Sequence, residues 1–212
     1  AKIDIGSKGV GIIGANDLTT EPNSSRKINI TNAGKITATD TTGEKTIGIY
    51  VDNIVSSLTP STDSVINQTG IIDLSNSKGS LGIHAGRTLL KSDGIVTVGD
   101  ESAGIRGDDA LIEINNASAE IKIGNKSIGV ILENFGRSTV GSSVGYFDGR
   151  NGKININGTG SVAYYVDDSI LNSGTSGNQY FNDNLTITDN GNSYTYIFAK
   201  NGSILNYDSS LT

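Results

Sequence analysis

Gly94-Ile95-Val96-Thr97-Val98, Ser102-Ala103-Gly104-Ile105 and Ala110-Leu111-Ile112-Glu113-Ile114 follow one another within 21 residues, and this run decides the fold. The outer pieces alternate apolar and other side chains, which is the period of a β-strand. The middle piece has a pattern of its own: a small or polar residue, an apolar one, glycine, then an apolar one.

All three pieces recur in the same order along the chain, and a fixed order of short pieces is the mark of a repeat architecture. The middle piece returns as Gly9-Val10-Gly11-Ile12, Thr46-Ile47-Gly48-Ile49, Ser80-Leu81-Gly82-Ile83, Ser127-Ile128-Gly129-Val130 and Ser143-Val144-Gly145-Tyr146. Ser161-Val162-Ala163-Tyr164 and Ser193-Tyr194-Thr195-Tyr196 read as degenerate copies. Ahead of most copies lies an alternating piece such as Lys2-Ile3-Asp4-Ile5, Lys35-Ile36-Thr37-Ala38, Glu120-Ile121-Lys122-Ile123 or Lys153-Ile154-Asn155-Ile156. Behind several lies Thr88-Leu89-Leu90, Ser169-Ile170-Leu171-Asn172 or Ser203-Ile204-Leu205-Asn206.

Between the pieces stand Asn32-Ala33-Gly34, Ser92-Asp93-Gly94, Asn151-Gly152, Asn157-Gly158 and Asp189-Asn190-Gly191, residues suited to the positive φ of tight turns. Hairpins built on these turns would give an antiparallel sandwich, but they do not explain a three-part pattern in fixed order. Parallel coils do. The expectation is an all-β, right-handed parallel β-helix of about eight coils with three short strands each, covering residues 1–212 as a single unit. Stacked at about 4.8 Å, eight coils make a rod on the order of 35–40 Å long.

Composition agrees with a thin solenoid. Hydrophobic residues make up 35% of the 212, and there are 28 glycines, too little apolar volume for a wide core but enough for coils that bury only a narrow interior. A net charge of −6 excludes a phosphate-binding surface, so no nucleic-acid partner is expected. No apolar run is long enough for a spanning helix, the start lacks the pattern of a signal peptide, and there is no cysteine for disulfides or thiolate metal sites. Neither end carries a polar capping element, so the chain is expected to be an excised piece of a longer one. The largest insertions, Gly14 to Lys27, Asp52 to Gln68 and Asn172 to Asn184, are expected at turns; Val55 to Thr62 and Ser173 to Asn178 read as exposed loops.

The alternating strand, the S-x-G-I strand and the richness in Asn, Ile, Lys and Gly together resemble the passenger repeats of large monomeric type V autotransporters, particularly the fusobacterial RadD-like adhesins. The resemblance covers nearly the whole chain through short motifs shared by many exported β-helices. It implies an extracellular passenger at the bacterial surface, its parent anchored in the outer membrane, this segment not membrane-inserted. The implied partners are a host-cell receptor, a glycan or a surface component of another bacterium, and the implied role is adhesion. A stalk projecting a distal tip is the alternative.

An enzymatic β-helix of the pectin lyase or polygalacturonase kind would need carboxylates converging from neighbouring coils. Asp108-Asp109 and Asp167-Asp168 are adjacent pairs, which share a site only in a turn, and the single histidine, His84, does not sit in a Gly-His-Gly. No catalytic residue, cofactor or metal is expected, and no glycine-aspartate calcium repeat or EF-hand loop is present. Arg106-Gly107-Asp108 spells an integrin tripeptide, but it reads more simply as an outward arginine followed by a turn.

Strand facing supplies the candidate site. If Ile47, Ile49 and Val51 point inward, Gly48 and Tyr50 point outward, and the same alternation turns out Ile13, His84, Arg106, Ile131, Phe147, Tyr165 and Ile197. Stacked coils would align these as one stripe beside a column of Gly11, Gly48, Gly82, Gly104, Gly129 and Gly145. Tyr50, Phe147 and Tyr165 would stack on sugars or pack on protein, with Arg106 adding directed hydrogen bonds.

Overall fold

The computed structural model describes residues 1–17, 27–39, 44–54, 64–133, 146–149, 152–172, 186–190 and 194–206. Among them there is no helix. The strands fall into three parallel sheets of seven strands each, and the chain visits the sheets in strict rotation.

The first sheet holds β1 (Lys2–Ile5), β4 (Lys35–Ala38), β7 (Ile71–Leu74), β10 (Ile95–Val98), β13 (Glu120–Ile123), β16 (Lys153–Ile156) and β19 (Thr186–Thr188). The second holds β2 (Val10–Asp17), β5 (Ile47–Ile54), β8 (Leu81–Gly86), β11 (Ala103–Asp108), β14 (Ile128–Glu133), β17 (Ser161–Asp167) and β20 (Tyr194–Lys200). The third holds β3 (Asn29–Asn32), β6 (Val65–Gln68), β9 (Leu89–Ser92), β12 (Leu111–Ile114), β15 (Tyr146–Gly149), β18 (Ile170–Asn172) and β21 (Ile204–Asn206). Each set is one of the three sequence pieces, and the product is a parallel β-helix.

Among the described residues there are seven coils, where the motif count suggests about eight. Ser143-Val144-Gly145-Tyr146 is not a second-sheet strand: Tyr146 opens β15 in the third sheet, paired with Leu111, and residues 143–145 lie outside the described residues. Seven strands at about 4.8 Å span about 29 Å. Successive first-sheet partners are 33, 36, 24, 25, 33 and 33 residues apart, so the coils about β10 are the shortest. The loops expected at 55–62 and 173–178 lie outside the described residues.

Like side chains stack on like. Ile36, Ile72, Val96, Ile121 and Ile154 form one inner column, Ile49, Ile83, Ile105 and Val130 a second, and Ile66, Leu90 and Ile112 a third, all essentially fully buried. Removing one such aliphatic side chain from water is worth about 1.5–3 kcal/mol, and only a narrow interior has to be filled. The small or polar residue of the middle piece has a structural role. Thr46, Ser80, Ser102 and Ser127 donate their backbone N–H to Oγ of Ser80, Ser102, Ser127 and Ser161 at 3.2, 2.9, 3.1 and 3.2 Å. A buried seam of hydroxyls thus satisfies the corner backbone that the coil leaves unpaired. In the third sheet Asn32 Nδ2 donates to buried Gln68 Oε1 at 2.8 Å, a polar pair inside the apolar wall.

The turn chemistry departs from the sequence expectation. Positive φ is taken mostly by charged residues at the corners: Lys8, Lys45, Glu101 and Lys126 before the second sheet, and Arg87, Asp109 and Asp168 after it. Among the expected turn residues, Gly152 and Asn190 have positive φ. Gly34 and Gly70 instead sit where a side chain would meet the backbone of the preceding coil.

Candidate functional site

The glycine of the middle piece faces inward, which overturns the expected outward glycine column. A Cβ on Gly48 would lie 2.5 Å from the Gly82 carbonyl oxygen and 2.6 Å from Ile72 Cγ2; one on Gly104 would lie 2.6 Å from Ile121 Cγ2 and 2.7 Å from the Gly129 carbonyl oxygen. Gly48 and Ile49 are both buried, as are Gly82 and Ile83, Gly104 and Ile105, and Gly129 and Val130. The alternation of sides therefore skips one residue at the glycine, a local irregularity of the kind β-bulges and strand glycines provide. Ile47, expected inside, is only partly buried because counting back from Ile49 crosses that irregularity. Gly145 lies outside the described residues.

Beyond the glycine the count is correct. Ile13, Tyr50, His84, Arg106, Ile131 and Tyr165 pair in register from strand to strand and form one column. Its last member is Phe198, not Ile197: Tyr165 pairs with Phe198, while Ile197 pairs with the buried Tyr164. Ser161 pairs with Tyr194 rather than Ser193, so aligning the two serines displaced the assignment by one residue. Phe147 belongs to the third sheet, in register with the buried Ile112, and not to the column.

A second outward column runs beside the first. Val10, Ile47, Leu81, Ala103, Ile128, Val162 and Thr195 are in register, six of the seven apolar. It was missed because strict alternation put these residues inside; the signal was the glycine in each repeat. Val10 is 40% exposed, Ile13 68% and Phe198 49%. On the other flank Asp52, Asp108, Glu133 and Asp167 form an acidic file, interrupted by Gly86 and ended by Lys200.

The rings of the column stack on one another. Tyr50 and His84 lie 4.6 Å apart at 15°, and Tyr165 and Phe198 lie 5.5 Å apart at 11°, with Lys200 Nζ 5.3 Å from the Tyr165 ring. His84, expected to be open to solvent, is packed down to 7% exposure. Burial first, and the Arg106 guanidinium second, hold its pKa down at about 4, so the ring is neutral at pH 7. Burial, and then Asp52, push the Tyr50 hydroxyl above its ordinary value. Arg106 is held by Glu133, with Nε at 2.9 Å and Nη2 at 2.6 Å from Oε2. Arg87 Nη1 reaches Asp52 Oδ1 at 3.2 Å, and Lys200 Nζ reaches Asp167 Oδ2 at 2.9 Å.

The two adjacent acid pairs singled out are each split between a strand end and a corner. Asp108 ends β11 in the acidic file, while Asp109 sits buried at the next corner, 3.9 Å from Arg87 Nε; Asp167 and Asp168 divide in the same way. Arg106-Gly107-Asp108 is extended within β11, bonded to β8 and β14 on both sides, with Gly107 buried against Ile112. Among the described residues no three His, Asp or Glu side chains converge as metal ligands would.

These features define a β-solenoid with one broad apolar face on its second sheet. No family model, curated protein or solved structure matches the chain.

Proposed function

We propose that the chain is a segment of a surface-exposed bacterial adhesin, an autotransporter passenger that attaches to host cells or other bacteria through the outward face of its second sheet. The observation that carries this role is the pair of in-register outward columns, apolar over most of their length and ending in the exposed Phe198. Contiguous exposed apolar surface rimmed by polar groups marks interaction sites. A rigid parallel scaffold holds such a face in fixed geometry, and the sequence resemblance to autotransporter passengers supports the location and habit.

The test is attachment of the chain to host and bacterial cells and to immobilised glycans, against a Tyr50→Ala, Tyr165→Ala, Phe198→Ala variant with unchanged circular dichroism. Attachment that falls at least tenfold in the variant supports adhesion through this face. Equal attachment by both forms, or none by either, overturns it. The second role, a passive stalk, is favoured by the serine seam, which repeats over Thr46, Ser80, Ser102, Ser127 and Ser161 and suits a rod built for length. Absence of attachment by either form supports that role.

A further inference from the structure

We infer that the second-sheet face docks a polypeptide with an apolar centre and a basic margin, rather than a carbohydrate or a second copy of this chain. The inference rests on the adhesive role proposed above and specifies its partner.

Ring orientation separates protein from sugar. Sugars pack their C–H faces on the open faces of aromatic rings, where the π-system presents its negative side. Here the rings are neighbours on adjacent strands and nearly coplanar in tilt, 4.6 Å apart for Tyr50 and His84, close to the strand spacing itself. Their faces therefore look along the rod and their edges look outward. For three of the four rings the second side is also taken by an in-register neighbour: Ile13 beside Tyr50, Arg106 beside His84, Ile131 beside Tyr165; Phe198, on the last strand of the sheet, has Tyr165 on one side only among the described residues. Ring edges interleaved with aliphatic side chains form a ribbed surface that suits the side chains of another polypeptide.

Charge separates partner from self. Among the described residues Asp52, Asp108, Glu133, Asp167 and Asp168 stand along the flank and its corner, five carboxylates against the three cations Arg87, Arg106 and Lys200, while Asp109 is buried. A second copy would bring the same acidic margin, whereas a basic margin on a different chain complements it. Size is adequate. Six residues of strand by seven strands cover on the order of 600 Å², approaching the roughly 800 Å² that each partner of a standard interface contributes.

The experiment uses the chain with a photoreactive alternating Leu/Lys peptide, its Leu/Glu counterpart, and chito-, cello- and N-acetyllactosamine oligosaccharides. The Leu/Lys peptide should bind at least tenfold more tightly than Leu/Glu and should crosslink to strands β5, β8, β11, β14 and β17. Phe198→Ala with Ile131→Ala should weaken it at least tenfold, and Asp108→Asn with Asp167→Asn at least fivefold. Ile71→Ala with Ile95→Ala, on the first sheet, should leave it unchanged. Crosslinking to the first sheet, equal binding of Leu/Glu, or no binding of Leu/Lys overturns the inference. Oligosaccharide binding lost with Phe198→Ala also overturns it while leaving the adhesive role standing, and concentration-dependent dimerisation lost in the same variant would assign the face to a second copy.

Discussion

The first and second sheets share one interior but present opposite exteriors. On the first sheet the outward positions among the described residues include Lys2, Asp4, Lys35, Thr37, Asp73, Thr97, Glu120, Lys122, Lys153, Asn155 and Thr188, with Ile71 and Ile95 as apolar exceptions. They pair off at the surface: Lys2 with Asp4 at 3.0 Å, Lys35 with Asp73 at 3.5 Å, Lys122 with Glu120 at 2.8 Å, and Asn155 with Glu120. Such pairs contribute about 0–1 kcal/mol each, so this wall is a solvated one. The second sheet puts two largely apolar columns in the same relation to water. Because the inner columns are alike, core packing does not explain the difference.

The largest effects should come from the interior that the two walls share. Ile105→Ala should lower the unfolding free energy in urea by about 2–5 kcal/mol, as large-to-small core changes do. Thr97→Ala, on the first-sheet exterior, should stay within about 0.5 kcal/mol. Equal losses would mean that inner and outer positions are not distinguished by burial.

Acid should act on the second sheet through His84. Its folded pKa of about 4 lies below the ordinary 6.5, so between these values the unfolded chain takes up a proton that the folded chain refuses. Stability should fall as pH drops from 6.5 to 4, by up to about 3 kcal/mol, and this contribution should be flat above pH 7. His84→Gln should remove that slope from urea titrations run at each pH. An unchanged slope would show that His84 is not packed as described.

Gly104→Ala should cost about 1–3 kcal/mol through overpacking, since its Cβ meets both the Gly129 backbone and Ile121. Gly6→Ala, where a Cβ meets nothing within 4 Å, should be near neutral. Smallest of all, Lys122→Ala should change stability by less than about 1 kcal/mol.

The three-piece repeat was legible because each piece is a strand of one sheet, and period two reports facing wherever the pleat is regular. It fails at Gly48, Gly82, Gly104 and Gly129, where the backbone skips one residue, and no alternation count carries across a skip. The outer column of Ile47, Leu81 and Ile128 was therefore hidden, while Tyr50 and Tyr165, counted from the far side, were found. Ile197 and Phe147 failed for a different reason. A short motif can match in the wrong frame, as Ser193 did, or in the wrong sheet, as Tyr146 did, and only the hydrogen-bonded register decides. Stacking of rings at strand spacing is a property of register as well, so ring orientation was invisible in the sequence.

The unequal coils carry a mechanical consequence. Under tension applied at its two ends, a solenoid whose coils touch only their neighbours should yield one coil at a time. Each yielding coil adds its own contour, at about 3.3–3.6 Å per residue. Coils 24 and 25 residues long would lengthen the tether by about 80–90 Å, and those of 33 to 36 residues by about 110–130 Å. A force–extension trace would therefore contain two step sizes, and their order would tell from which end the rod comes apart.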